Sequence, residues 1–426
     1  MAAPITQYED FVLNLSREGD QYMGEVRASP AGPSQKQRLK WPFGNEPHDL
    51  LRAKLETAIL KGRGYRAGPI TAEERVLREF GSEVFTAVFR NSDEIAIQFA
   101  TSLRIVQNKT ASGSAAPVGL RIVLRVDPPE LAMLPWEYMF DQSAVDDNGK
   151  FICLRKVSSL VRFVNVTAPP ASFHATRPLR ILGMIANPGG PDWKRLDAEA
   201  ERDRIEKALK EIPRGSVQLT WVPGGTRDDL FEALQRESWH IFHFIGHGGT
   251  QQFLGDDGQV RSEGFVVMQD GKGGADIVFA SDLGIILDNN SGLALAVLNC
   301  CDSGIGGTGL SSVGATLVNS GVPAVVAMQF AITDGASTRF AGQFYSSITS
   351  GCSVEQSLTI ARQFMRLKSN VEWGIPVLYS RTGTCVLFEA GAAETVRPQP
   401  PPESPAETKV STNREQAREE LRRLFA

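Results

Sequence analysis

The chain has 426 residues, of which 42% are hydrophobic, and a formal net charge of −4. Its acidic and basic side chains are spread along the sequence, which argues against direct nucleic-acid binding and against a polybasic membrane patch. The five cysteines lack the spacing of a disulfide framework, and no apolar run approaches the roughly 18 residues of a membrane span. We therefore expect a cytoplasmic globular protein with one large domain, appendages and free thiols.

Residues 1–118 are predicted to form a β-hairpin followed by a helical region. Strand-like patterns flank a Glu-Gly-Asp turn within residues 8–28, and a third strand is expected near residues 38–41. Apolar residues then recur at helical spacing over residues 46–61, 71–89 and 93–106. Thr71 and Glu74 form a capping box at the start of the second of these helices.

Strand and helix alternate through residues 119–389, the predicted main domain. Short apolar runs typical of strands lie at residues 120–124, 180–185, 217–222, 240–245, 377–379 and 386–388, and helices are expected at 192–212 and 227–237. This alternation predicts βαβ units and hence an α/β fold with a mainly parallel twisted sheet flanked by helices. Residues 249–276 are polar and Gly-rich, which favours a mobile β-excursion.

The composition changes abruptly after residue 390. Residues 390–411 are predicted to be a semi-rigid Pro-rich linker, and residues 412–426 a charged helical tail. The tail is too short and too charged to fold stably alone. It is either a tether that docks a partner or regulates access, or an end without a role.

Two apolar runs each end in a reactive side chain. Residues 239–245 lead into Gly-His-Gly at His247, and residues 293–298 lead into Asn-Cys-Cys at Cys301. In parallel sheets, catalytic groups gather beyond the carboxyl ends of the strands. If the two strands are neighbours, a base and a thiol face each other across one crevice, as nucleophilic cysteine catalysis requires.

These two phrases resemble the signatures of CHAT-domain proteins, the bacterial caspase-like and separase-like cysteine peptidases. They read His-Phe-Ile-Gly-His-Gly at residues 243–248 and Leu-Asn-Cys-Cys-Asp-Ser-Gly at residues 298–304, and segments at 134–137, 321–327 and 373–376 are also similar to that family. A caspase base likewise lies about 50 residues before its cysteine. The resemblance implies a caspase-like domain over residues 119–389 and cleavage of a protein substrate through a thioester. It implies no metal or organic cofactor.

The resemblance also implies roles for individual residues. His247 is expected to be the base, Cys301 the nucleophile, and the backbone N–H groups of Gly248 and Cys301 the oxyanion donors. Cys300 stands where a small residue is usual in the family. Because successive strand residues point to opposite faces, Cys300 is expected to enter the core while Cys301 is presented at the turn.

Three further residues are candidates for substrate binding. Asp334 follows a strand that is expected to open onto the same crevice, and it resembles the acidic specificity residue of separase-like relatives. In that role it predicts cleavage after Arg or Lys. It could equally lie in the first turn of the next helix and complement the helix dipole. Asn299 is expected to shape the pocket, and Asp302 either lines the cleft or is a solvated loop carboxylate.

Several alternatives remain open at the level of sequence. His243 lies on the same strand face as Ile241 and Ile245, which favours a core histidine. Zinc would find donors in His243, His247, Cys300 and Cys301, although adjacent cysteines on a strand seldom bind one ion.

The chain could also be a non-enzymatic caspase-like signalling scaffold. A small-molecule hydrolase or acyltransferase that uses the same dyad is a further alternative. The family resemblance implies a bacterial signalling or defence pathway with an upstream sensor or regulator.

Overall fold

A computed structural model describes residues 7–44, 47–66, 68, 70–111, 117–144, 150–163, 175, 177–193, 195–254, 260–300, 311–381 and 387. The predicted linker and tail lie outside these residues, as do Cys301, Asp302 and most of the strand expected at 386–388. No helix within the described ranges has the length and apolar character needed to cross a membrane.

The strands are β1 (Gln7–Glu18), β2 (Gln21–Ala28), β3 (Gln37–Arg38), β4 (Val118–Val126), β5 (Ser158–Phe163), β6 (Leu179–Ile185), β7 (Val217–Trp221), β8 (Ile241–Leu254), β9 (Val260–Gln269), β10 (Ala275–Phe279), β11 (Leu295–Cys300), β12 (Ala324–Met328) and β13 (Pro376–Ser380). The α-helices are α1 (His48–Lys61), α2 (Ala72–Phe89), α3 (Asp93–Ala111), α4 (Pro129–Ala132), α5 (Ala198–Lys210), α6 (Arg227–Arg236), α7 (Ala280–Asp288), α8 (Ser311–Asn319), α9 (Asp334–Thr349) and α10 (Val354–Arg366). Short 3-10 helices span Trp136–Tyr138, Ile152–Leu154 and Glu372–Gly374.

The strands form one large, mainly parallel sheet. Its order is β10-β9-β8-β11-β12-β13-β5-β4-β1-β2-β3, with β6 paired to β8 and β7 paired to β6. Strands β7, β6, β8, β11 and β12 are mutually parallel, and β13 is antiparallel to β12. The predicted α/β fold class is confirmed. The two strands with reactive ends, whose pairing the sequence left open, are neighbours.

The N-terminal hairpin extends the same sheet. β1 pairs with β2 in antiparallel fashion and with β4 in parallel, so the sheet runs without a break across residue 118. Half of the predicted capping box is present, because the Thr71 side chain accepts a hydrogen bond from the Glu74 backbone N–H at 3.2 Å. The Glu74 carboxylate binds Arg78, Arg366 and Asn370 instead of completing the box. The predicted domain boundaries remain predictions.

Helices cover both faces of the central strands. On one face, Tyr345 and Ser337 of α9 are hydrogen-bonded to His243 of β8 and Asn299 of β11. On the opposite face, α8 lies against β12 and β13. Its residue Gly314 approaches them so closely that an added Cβ would be 3.1 Å from the Cβ of Ala327 and 2.9 Å from the Tyr379 ring.

Two helices differ from the sequence prediction. The helix expected from residue 192 begins only at Ala198, because the Asp197 side chain caps it by accepting the Ala200 N–H at 3.0 Å. The residues before it form a loop. Helix α7 was not predicted; it is short and contains Gly284, whose missing side chain lets α7 lie directly on Ser320. The expected β-excursion is present as the outer half of β8 with β9 and β10.

Candidate active site

His247 lies where β8 changes partners. Up to Gly246, β8 pairs in parallel with β11, and from His247 onward it pairs with β9 in an antiparallel hairpin. Gly246 is required at this junction. A Cβ there would be 2.6 Å from the Phe244 ring and 3.3 Å from the Ala186 carbonyl oxygen.

The His247 side chain is buried, with 1% of its surface exposed. The Trp193 ring stacks on the imidazole with the ring centroids 5.6 Å apart and an interplanar angle of 29°. Phe265 of β9 also contacts Trp193, edge to face, with the ring centroids 6.4 Å apart. The imidazole is therefore held between the sheet and an aromatic wall that the sequence analysis did not anticipate.

Trp193 belongs to the loop between β6 and α5, and this loop is fixed at several points. Asn187 both donates to and accepts from the backbone of Leu196, each at 2.8 Å. The Gly189 N–H donates to the Gly273 carbonyl in the turn between β9 and β10. The sequence signal for this wall is a tryptophan directly after a Pro-Gly-Gly-Pro-Asp run that follows a buried strand. The prediction of a helix from residue 192 hid this signal.

Strand β11 ends beside the point at which β8 changes partners. The Cα atoms of Asn299 and Cys300 on β11 are paired with those of Ile245 and Gly246 on β8. His247 is the next residue along β8. Cys301 and Asp302 follow Cys300 but lie outside the described residues, so their predicted roles stay predictions. Gly248, the other predicted oxyanion donor, is paired with Val266 of β9.

Asn299 connects the end of β11 to α9. Its side chain is buried, and Nδ2 donates to the Ser337 hydroxyl. Oδ1 has no hydrogen-bond partner among the described residues. Asn299 lies two residues before the predicted nucleophile.

Asp334 is the first residue of α9, directly after the capping residue Thr333. Its carboxylate forms an ion pair with Arg204 of α5 at 3.1 Å, and 53% of its side chain is exposed. Arg204 also binds Glu201, where burial raises the carboxyl pKa against the lowering effect of Arg204. Asp334 therefore occupies the first helical turn, as the dipole interpretation expected. The structure does not test its predicted role in specificity.

A family profile described as the CHAT domain matches residues 94–408, well over half of the chain. The chain belongs to the CHAT domain family. The match extends the region of resemblance beyond residues 119–389 at both ends. It begins within α3, so the CHAT match includes part of the predicted N-terminal region.

Two solved structures resemble this CHAT chain at low identity. One is described as the Saccharomyces cerevisiae separase–securin complex, with 12% identity and a TM-score of 0.45; the match covers 89% of this chain and 30% of that chain. The other is gingipain R (RgpB), described as an Arg-specific cysteine proteinase, with 10% identity and a TM-score of 0.40. The match covers 82% of this chain and 76% of that chain. A search of curated proteins gave no match.

The other histidines of the CHAT β8 region are core residues. His243 is buried, bonds to the Tyr345 hydroxyl through Nδ1, and has a pKa lowered to about 4 by burial. For His240, burial and then Arg180 lower the pKa to about 4, and Nδ1 accepts the Arg180 N–H at 3.1 Å. Both are neutral at pH 7. Within the described residues, no three His, Cys, Asp or Glu side chains gather into a metal site.

Proposed function

We propose that this CHAT chain is a cysteine endopeptidase in which Cys301 is the nucleophile and His247 the general base. The observation that supports it most is the pairing of Cys300 with Gly246, at the point where β8 continues into His247. Parallel strands whose pairing stops at the same level bring their next residues to one edge of the sheet. The buried imidazole with its aromatic wall is the second support.

The proposed reaction starts with transfer of the Cys301 thiol proton to His247. The thiolate attacks the scissile carbonyl, and the backbone N–H groups of Gly248 and Cys301 stabilise the oxyanion. The imidazolium then donates its proton to the leaving amine and a thioester remains. His247 next removes a proton from water and the hydroxide attacks the thioester carbonyl. The C–S bond then breaks, the carboxylic acid product leaves, and the imidazolium returns its proton to the Cys301 thiolate.

Three single variants test the assignment. Cys301→Ala and His247→Ala should each lower peptidase activity by about a thousandfold or more, because each removes a group that takes part in bond making. Cys300→Ala is the matched control and should keep most of the activity. The measurements are labelling by an electrophilic peptide and a comparison of new protein N-termini in cells that express each variant.

Each alternative to the proposed function predicts a different result. Full activity in Cys301→Ala would rule out the proposed nucleophile. Electrophile labelling without any new N-termini would favour a small-molecule hydrolase or acyltransferase, and absence of both would favour a signalling scaffold. A role in a bacterial signalling or defence pathway rests on the family resemblance.

The proposal includes a preference for Arg or Lys before the scissile bond, with Asp334 as its partner. The exposed half of the Asp334 carboxylate supports this, as does its place just after β12, whose carboxyl end lies on the same edge as that of β11. A basic substrate side chain would have to displace Arg204 from this carboxylate. Arg204 therefore becomes a competitor for the substrate.

This competition gives a sharp test. Asp334→Lys should lose cleavage at basic sites by about tenfold or more while the fold is kept, because one favourable charge contact becomes a repulsion. Arg204→Gln should raise cleavage at basic sites, because Asp334 is then available to the substrate. Cleavage of a peptide library that carries every amino acid at the position before the scissile bond measures both effects. An unchanged profile in the two variants would leave Asp334 as a residue that complements the helix dipole.

A further inference from the structure

A groove of about 730 Å³ crosses the face of the sheet that α8 partly covers. Its floor includes Tyr379, Arg162 and Leu124, which lie on one register row across β13, β5 and β4. Ser312 and Ala315 of α8 form one wall. The opposite wall is built by α4 and its neighbours, including Pro129, Met133 and Arg52.

The charge of this groove is predominantly positive. Arg27, Arg52, Arg125 and Arg162 line it, and Asp127 is the acidic residue among the described residues that line it. Arg162 is neutralised, because Glu137 accepts from its Nη2 at 2.6 Å and from its Nε at 3.0 Å. The Arg27 Nε contacts Glu25 at 3.0 Å. The remaining cations are Arg52 and Arg125, which interact electrostatically with Glu56 and Asp127 but form no ion pair with them in the described residues.

Arg125 is held in place without an anionic partner in contact. Its guanidinium carbon lies 4.1 Å from the centre of the Phe163 ring. Its Nε is buried and has no hydrogen-bond acceptor among the described residues. Burial, and then the nearby Arg27, lower the Arg125 pKa, while Asp127 opposes them. The residue as a whole is only partly buried and lines the groove, so an anion there can form charge-assisted hydrogen bonds with the guanidinium.

Arg52 has a similarly weak hydrogen-bond partner. Its Nη1 contacts the Met133 sulfur at 3.3 Å, and a thioether is a poor acceptor. Apolar side chains complete the groove around these cations, namely Leu124, Val126, Met133, Phe330 and Tyr379. A volume of this size, with apolar walls and a few placed polar groups, is typical of small-molecule sites.

We propose that this groove binds a small molecule with an anionic group, phosphate or carboxylate, at Arg125 and an apolar or aromatic body over the floor. This goes beyond the proposed peptidase function and does not depend on it. The groove does share a strand with the candidate active site. Thr250, which bonds to Ser312 at 2.9 Å across the groove's edge, lies three residues after His247 on β8.

Three probes with one aromatic body test the proposal on the full-length protein. Naphthyl phosphate and naphthoate carry the two anionic groups, and naphthol carries neither. Isothermal titration should give the better anion a dissociation constant about tenfold below that of naphthol. The reason is that a charge-assisted hydrogen bond to Arg125 is available to an anion but not to neutral naphthol. The Arg125→Gln variant should lose this preference. Arg104→Gln, an exposed residue of α3 outside the groove, is the matched control and should retain it.

Met133→Glu provides a second variant in case Arg125→Gln fails to fold. Met133 is 46% exposed, so a carboxylate is tolerated there but repels an anion in the groove. Tighter binding of only one anion supports the proposal and identifies the anionic group. Equal binding of naphthol, or an anion preference that survives in both Arg125→Gln and Met133→Glu, overturns it. Binding of an acidic peptide where neither naphthyl anion binds would overturn it in favour of a peptide-docking groove.

Discussion

Trp193 constrains the His247 imidazole by stacking on it. The two rings are stacked at 5.6 Å, and the tryptophan is itself supported by Phe265. An imidazole that first accepts and then donates a proton must keep one orientation through both steps. A stacked indole also favours the imidazolium that forms between them. We therefore interpret Trp193 as a positioning residue for the proposed base.

Removing the indole should lower the rate without removing the chemistry. Trp193→Ala is expected to reduce kcat/KM about two- to tenfold, because a stacked aromatic pair contributes about 0.5–1.5 kcal/mol. Trp193→Phe keeps a ring in the same place and should restore most of the activity. Steady-state kinetics with a peptide substrate and thermal melts of both variants give the measurement. Equal activity of Trp193→Ala and the parent protein would remove the positioning role.

Helix α8 depends on small residues where it meets the sheet. It follows residues 301–310, which include the predicted nucleophile, and its first turn lies on β9 at Gly264. A Cβ on Gly264 would be 2.6 Å from both the Ser312 Oγ and the Val313 backbone nitrogen. The hydroxyl can rotate away, whereas the backbone nitrogen cannot move without displacing the helix.

Gly264→Ala should therefore push α8 away from β9. We expect a loss of about 1–3 kcal/mol in the free energy of unfolding, as for other forced overpacking. Gly271→Ala is the matched control: an added Cβ there meets nothing within 4 Å, and its effect should stay within about 0.5 kcal/mol. Urea unfolding of the two variants measures both. Equal stability would mean that α8 accommodates the methyl group by a shift that costs little.

At the scale of the whole molecule, buried ion pairs connect the N-terminal region to the CHAT domain. Glu74 of α2 accepts from Arg366 of α10 at 2.6 Å and from the Asn370 side chain at 2.6 Å. Arg121 of β4 bridges Asp10 of β1 and Glu355 of α10. These contacts join segments that are more than a hundred residues apart, so the hairpin, the N-terminal helices and the rest of the CHAT domain share one interior.

Breaking this network should destabilise the whole chain. Glu74→Ala leaves Arg366 buried without its carboxylate, and we expect a loss of about 3–5 kcal/mol. Glu232→Ala removes an exposed helical pair with Arg236 instead and should cost less than about 0.5 kcal/mol. Chemical denaturation followed by circular dichroism compares them. Similar costs for the two variants would show that the buried network adds nothing beyond a surface pair.

The sequence by itself determined the elements and the motif. Apolar runs bounded by glycines predicted that β8 and β11 are buried strands of a parallel sheet, and helical spacing after Thr71 predicted α2. The role of His247 as the base was predicted from a phrase of six residues and stays a prediction. These properties are encoded in short stretches, because periodicity, capping and turn preferences act between residues that are close along the chain.

The tertiary structure decided which distant residues meet. The stacking of Trp193 on His247, the late start of α5, the pairing of Asp334 with Arg204 and the gathering of arginines in the groove could not be predicted. Arg27, Arg52 and Arg125 are spread over three elements whose contact depends on the N-terminal hairpin joining the sheet through β4. Such contacts are set by packing and electrostatics between segments far apart in sequence, for which local patterns carry no signal.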